Sequence, residues 1–142
     1  MADGSEFDPG VPLNRQALAD GVPSVRNDRN YTHVEKVWGT ELWIVNTPMY
    51  CGKMLMVNQG HHTSMHFHAE KHETMFCCEG SFRIDFIDSK GDVVSRDLQQ
   101  ADSIVIPQNT PHSIHGTGQF NVLFEFSTQH FDHDSIRVGK PG

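Results

Sequence analysis

The chain has 142 residues and a formal charge of −7, from 11 lysines and arginines against 18 aspartates and glutamates, with 37% hydrophobic residues. That is the length and composition of one globular domain. It argues against a non-specific nucleic-acid binder, whose affinity comes from lysines and arginines displacing counterions from phosphates, and no apolar window nears the roughly 20 residues of a membrane span.

In chain order, residues 1–30 carry Asp8-Pro9-Gly10, Val11-Pro12 and Gly21-Val22-Pro23 without a sustained apolar period, the pattern of a disordered arm. Gly4-Ser5-Glu6-Phe7 near its start has the look of a cloning remnant. No basic segment leads into an apolar stretch there, so a cytoplasmic protein with no membrane and no nucleic-acid partner is expected. From Tyr31 the texture changes to short apolar or alternating runs at 34–45, 51–58, 63–68, 73–78, 82–87, 93–98, 102–106, 112–115 and 120–127. These are strand lengths, and residues 31–142 are read as one domain. Asp88-Ser89-Lys90-Gly91-Asp92 between two such runs predicts a hairpin, so consecutive strands are antiparallel. No 3.6-residue apolar stripe appears from 31 to 130, which predicts an all-β sandwich or closed barrel. Cys51, Cys77 and Cys78 lack a Cys-x-x-Cys spacing and suit small apolar strand residues.

Five of the ten histidines fall between His61 and His72. On a strand, the period of two puts His66 and His68 on one face and Phe67 on the other, where two imidazoles can reach one ion. A turn over 69–72 then returns the chain with Glu73, Met75 and Cys77 on one face, so a carboxylate meets the histidines. Downstream, a buried-looking strand from Asp102 and a turn bounded by Pro107 and Pro111 deliver His112 as a fourth ligand. Three imidazoles and one carboxylate around a divalent ion carry a net charge of about +1 and leave two adjacent octahedral positions open. The mixed nitrogen and oxygen donors suit zinc, manganese, iron, nickel or copper without choosing among them. His61, His62 and His72 lie outside this spacing and are read as rim residues.

Gly60, His66, His68, Glu73 and Gly80 match the first cupin motif at every spacing, and Ala101 through Pro107 to His112 resembles the second. Ala101 and Asn109 stand where that second motif usually has glycine, while its ligand histidine is kept as His112. The resemblance covers about residues 34–137 and implies an antiparallel double-stranded β-helix, the jelly-roll barrel, with one divalent transition metal. It also implies a homodimer, with the N-terminal arm available for strand exchange.

A narrower likeness lies in Val37-Trp38-Gly39-Thr40-Glu41, Lys53, Ser64, Lys71, Phe124-Glu125-Phe126-Ser127, Asp134 and Arg137. These resemble the cupin domain of type II mannose-6-phosphate isomerases and related sugar-biosynthesis cupins, although those usually carry glutamine at the position of His66. The likeness implies a small-molecule sugar-phosphate substrate and aldose–ketose isomerisation through an enediol, with Lys53 contacting the anionic substrate and Glu125 as base. Arg83 and Arg137 are phosphate candidates. The same ligand set equally accommodates an Fe(II) dioxygenase, and a non-catalytic sugar- or metal-binding module is a third alternative.

Overall fold

The computed structural model of the chain describes residue 10, residues 14–16 and residues 20–139. Half of the expected arm, residues 1–9, 11–13 and 17–19, lies outside these residues, and with it Gly4-Ser5-Glu6-Phe7. Over 21–30, where it is described, it forms no helix or strand and every side chain is exposed.

Among the described residues, alternating burial organises the chain into eleven strands. They are β1 (Thr32–Lys36), β2 (Gly39–Asn46), β3 (Cys51–Val57), β4 (His66–Phe67), β5 (Glu73–Glu79), β6 (Phe82–Ile87), β7 (Val93–Leu98), β8 (Ser103–Ile106), β9 (His112–Gly116), β10 (Val122–Ser127) and β11 (Ile136–Arg137). One 3₁₀ turn, Asp132–Asp134, precedes β11. Two sheets form, ordered β1-β2-β3-β10-β5-β8 and β11-β4-β9-β6-β7, with every pairing antiparallel. This is the expected jelly-roll. No helix among the described residues is long and apolar enough to cross a membrane.

Two strand expectations need correction, and one strand was not anticipated. The run 34–45 is two strands: Val37-Trp38 makes a tight turn between Lys36 and Gly39, and two large apolar residues gave no turn signal. The run 63–68 narrows to His66–Phe67: both residues pair with β11, and His66 also pairs with β9. The two-residue β11 had no sequence signature at all; it exists by pairing Ile136 with Phe67 and Arg137 with His66.

The strands are filled unevenly along their length. Leu55 and Val57 on β3, Cys77 on β5, Phe82 and Ile84 on β6, Ile114 on β9 and Leu123 on β10 pack into one apolar cluster. Each such large aliphatic or aromatic side chain, fully buried, contributes about 1.5–3 kcal/mol. The same inward faces turn polar toward the other end, with Lys53 on β3, Glu73 on β5, His112 on β9 and Glu125 on β10 all buried. One end of the barrel is therefore packed with apolar side chains and the other with buried polar and charged ones.

Motif glycines explain part of this geometry. Gly80 turns β5 into β6 at φ 77°, and a Cβ there would collide with the Phe120 carbonyl oxygen. Ala101 and Asn109 hold φ of 73° and 59°, so the two positions that lack the motif's glycine keep its left-handed backbone. Ala101 N–H donates to the Cys77 carbonyl at 2.8 Å and Asn109 N–H to the His68 carbonyl at 2.7 Å, which holds both turns in place.

Candidate metal centre and cavity

Strand pairing assembles the site. His66 on β4 lies directly opposite His112 on β9, and His68 follows one residue beyond β4. The ring nitrogens of His66, His68 and His112 lie within 4.8 Å of one another, a cluster that could hold a metal ion. Glu73 stands beside two of the three, its Oε1 3.1 Å from His112 Nε2 and 3.6 Å from His68 Nε2.

Backbone carbonyls set the tautomers. Nδ1 of His66 meets the Ser64 carbonyl at 2.8 Å, that of His112 meets Thr110 at 2.8 Å, and that of His68 meets Asp134 at 3.1 Å. A carbonyl only accepts, so each Nδ1 carries the proton and each Nε2 presents a lone pair. His112 Nε2 and both Glu73 oxygens are buried without a hydrogen bond. Close acceptor atoms that face one another unprotonated repel, and a divalent cation bound among them would satisfy all of them. The donor set thus fits a metal.

Burial pushes the His66 pKa down to about 4, helped by His112, and that of His68 down to about 3, helped by Lys71. Burial, then the Glu125 charge, raises the Glu73 carboxyl above its usual range against the pull of His112 and Lys71. In the unfolded chain the histidines titrate near 6.5. Between that pH and the folded values the unfolded state binds more protons, so stability is full above about pH 6.5 and falls on acidification through this window. His115 and His130, both lowered chiefly by burial, act in the same direction. Glu73, whose raised pKa makes the folded state take up its proton first, opposes this, but four lowered imidazoles outnumber it, so melts of chelator-treated protein should show a net fall in Tm between about pH 6.5 and 5. A flat Tm there would mean that the imidazoles are not held neutral in the fold.

The cluster opens into a cavity of about 640 Å³ whose wall includes Trp43, Lys53, Lys71, Glu125, His130 and Arg137. Lys53 and Glu125 lie directly opposite each other on β3 and β10. Lys53 is only 2% exposed; its Nζ sits 4.1 Å from the centre of the Trp43 ring and 3.7 Å from Glu41. Burial draws its pKa down, against the opposing charges of Glu125 and Glu41. Burial also disfavours a charged Glu125, yet Lys71 and Lys53 outweigh it and hold that carboxyl at about 2. Lys71 Nζ bridges Glu125 at 3.1 Å, Glu73 at 3.4 Å and His130 Nδ1 at 3.2 Å.

Asp134 shapes the loop that carries Lys71. One of its oxygens accepts the Ala69 and Glu70 N–H groups at 2.8 and 2.9 Å and the other accepts Lys71 N–H at 2.9 Å, while its carbonyl orients His68. Trp43, Glu41 and His130 were not singled out as individual site residues from the sequence. Glu41 and Trp43 lie two residues apart on β2, and the pairing of Trp43 with Lys53 shows that their face lines the site. His130 follows the last long strand in a loop, where no periodicity points to it.

Other candidates lie elsewhere. His61 and His72 are exposed, and His62 stacks on His115 at 4.7 Å at the cavity mouth. Arg83 is tied to Asp85 at 3.0 Å and to His115 at 3.2 Å, away from the cavity lining.

Fold and site together define a small antiparallel β-barrel with a histidine cluster opening into an internal cavity. The family model described as Cupin matches residues 21–140, and the chain belongs to the cupin family. No curated protein matches it in sequence. Among solved structures it is similar to the capsular polysaccharide assembling protein CapF from Staphylococcus aureus, with 18% identity, TM-score 0.69, and 78% of this chain and 34% of that one covered. A variant of Bacillus subtilis oxalate decarboxylase gives 16% identity and TM-score 0.70 over 82% of this chain and 34% of that one. KdgF from Halomonas sp. gives 15% identity and TM-score 0.65 over 79% of this chain and 98% of that one. The chain thus spans about a third of the first two and nearly all of the third, and at these identities the likeness is one of fold.

Proposed function

We propose that the protein is a metal-dependent cupin enzyme that interconverts an aldose and a ketose, most directly a sugar phosphate, through an enediol. His66, His68, Glu73 and His112 hold one divalent transition metal, zinc, manganese, iron or nickel. When bound, that ion supplies Lewis-acid polarisation of the sugar carbonyl and its neighbouring hydroxyl. The observation that carries the reading is a buried lysine with a lowered pKa on the same cavity wall as the histidine cluster.

Isomerisation removes a proton from one carbon and returns it to the next, so it needs a group that exchanges protons near neutral pH. Lys53 is the candidate for that group: Trp43 and Glu41 fix where its amine points on the cavity wall, and burial lowers its pKa from the ordinary lysine value, so its neutral form is more accessible than that of a solvated lysine. Glu125, held ionised by two lysines, is a weak base. Its role is to keep Lys53 and Lys71 in place and to balance their charge. The buried Trp43 Nε1, which lacks a hydrogen-bond partner, is a ready donor for a substrate hydroxyl.

The outer face of the six-stranded sheet exposes Ile44, Tyr50 and Phe126 around an apolar groove of about 430 Å³, which supports a homodimer through that face.

The test is turnover of fructose 6-phosphate and mannose 6-phosphate by the zinc- and manganese-loaded protein, in deuterated water, under nitrogen and under air. The expected result is interconversion at equal rates in both atmospheres, with deuterium entering the carbon next to the carbonyl. Oxygen uptake with iron would instead establish the dioxygenase, and ligand binding without turnover the binding module.

A further inference from the structure

We propose that Arg137 forms an oxyanion subsite at the cavity mouth, seating a phosphate or carboxylate of the substrate beside His66; this rests on the reading of the cavity as the substrate site. Arg137 lies directly opposite His66 in the β11–β4 pair. Directly opposed residues share a face with Cβ atoms about 5 Å apart, and both side chains line the same cavity.

The charges of that cavity single this residue out. Its other lysines and arginines are already paired: Lys36 lies 3.6 Å and Lys53 3.7 Å from Glu41, and Lys71 lies 3.1 Å from Glu125. The mouth carboxylate, Asp132, is engaged by His130 at 3.0 Å. Among the described residues, Arg137 makes no side-chain hydrogen bond or ion pair. Its planar fork of donors matches the oxygens of a phosphate or carboxylate.

The strand that carries it is held firmly. Val138 N–H donates to the Met65 carbonyl at 3.0 Å, and the Asp134 carboxylate just upstream takes three backbone N–H groups of the 69–71 loop. Arg137 is therefore presented from a fixed point beside the histidine cluster. Arg83, by contrast, already has a carboxylate partner in Asp85 at 3.0 Å.

Titration calorimetry on the full chain, metal-free and zinc-loaded, with fructose 6-phosphate, glucuronate, fructose and inorganic phosphate tests this. At least one anionic sugar should bind roughly tenfold tighter than fructose, and the tighter of the two identifies the oxyanion as phosphate or carboxylate. Arg137→Gln should erase that preference, Arg137→Lys should restore part of it, and the control Arg83→Gln should retain it. An Arg137→Gln protein that keeps the preference, or a parent that binds anionic and neutral sugars alike, overturns the inference. An Arg137-dependent preference without isomerase turnover would uphold the subsite and remove only the isomerase reading. Turnover indifferent to Arg137 would do the reverse.

Discussion

Replacing His68 and Glu73 together by alanine is expected to reduce bound metal from about one ion per chain to a small fraction of that, and turnover with it. A four-ligand transition-metal site is worth on the order of 10 kcal/mol or more, so removing half of its donors should weaken binding by about a thousandfold or more. The fold should survive. In the metal-free chain the Glu73 carboxylate is buried with only the Lys71 ammonium, 3.4 Å away, to offset its desolvation, so its removal loses that ion pair but relieves a desolvation cost. Lys71 would keep Glu125 at 3.1 Å as its partner. Metal analysis by plasma mass spectrometry, with melts of the chelator-treated parent and variant, checks both halves. Stoichiometric metal in the double variant would show that the site lies elsewhere.

Lys53→Met should separate catalysis from metal binding. The variant is expected to load metal normally and to lose about a hundredfold or more in kcat, the usual contribution of a positioned acid–base group. Methionine matches the length of the lysine stem, and the partners left behind are not stranded: Glu41 keeps Lys36 at 3.6 Å and Glu125 keeps Lys71. Removing one partner of a buried ion pair is ordinarily destabilising, but Glu41 and Glu125 each keep a second lysine, so Tm should fall by only a few degrees. A kcat within a few-fold of the parent would leave the proton transfer to another group. An Arg replacement would be uninformative as a conservative control, because its charge cannot be removed near neutral pH.

Much of the fold was legible because its signals are local. Burial alternates along β3 and β5 as the period of two requires, Cys51, Lys53, Leu55 and Val57 inward on one and Glu73, Met75 and Cys77 inward on the other. The Val37-Trp38 turn and β11 were not legible: the first uses residues with no turn preference, and the second is two residues long and held by its partner strand. Ala101 and Asn109 show the same limit from the other side, since their left-handed backbone is held by hydrogen bonds to distant carbonyls and not by glycine.

The residue types and spacing around His66, His68, Glu73 and His112 picked out a candidate metal-ligating set, because strand periodicity is a short-range property of the chain. Only the tertiary structure decided how those atoms meet: which nitrogens have their Nδ1 protons committed to carbonyls, and which polar atoms are left buried without partners. Strand order likewise set Lys53 opposite both Trp43 and Glu125, paired Arg137 with His66, and brought His130 to Lys71 across 59 positions of sequence. Register and long-range pairing carry no local signature. They follow from which faces must be buried together, and that is settled only when the whole barrel closes.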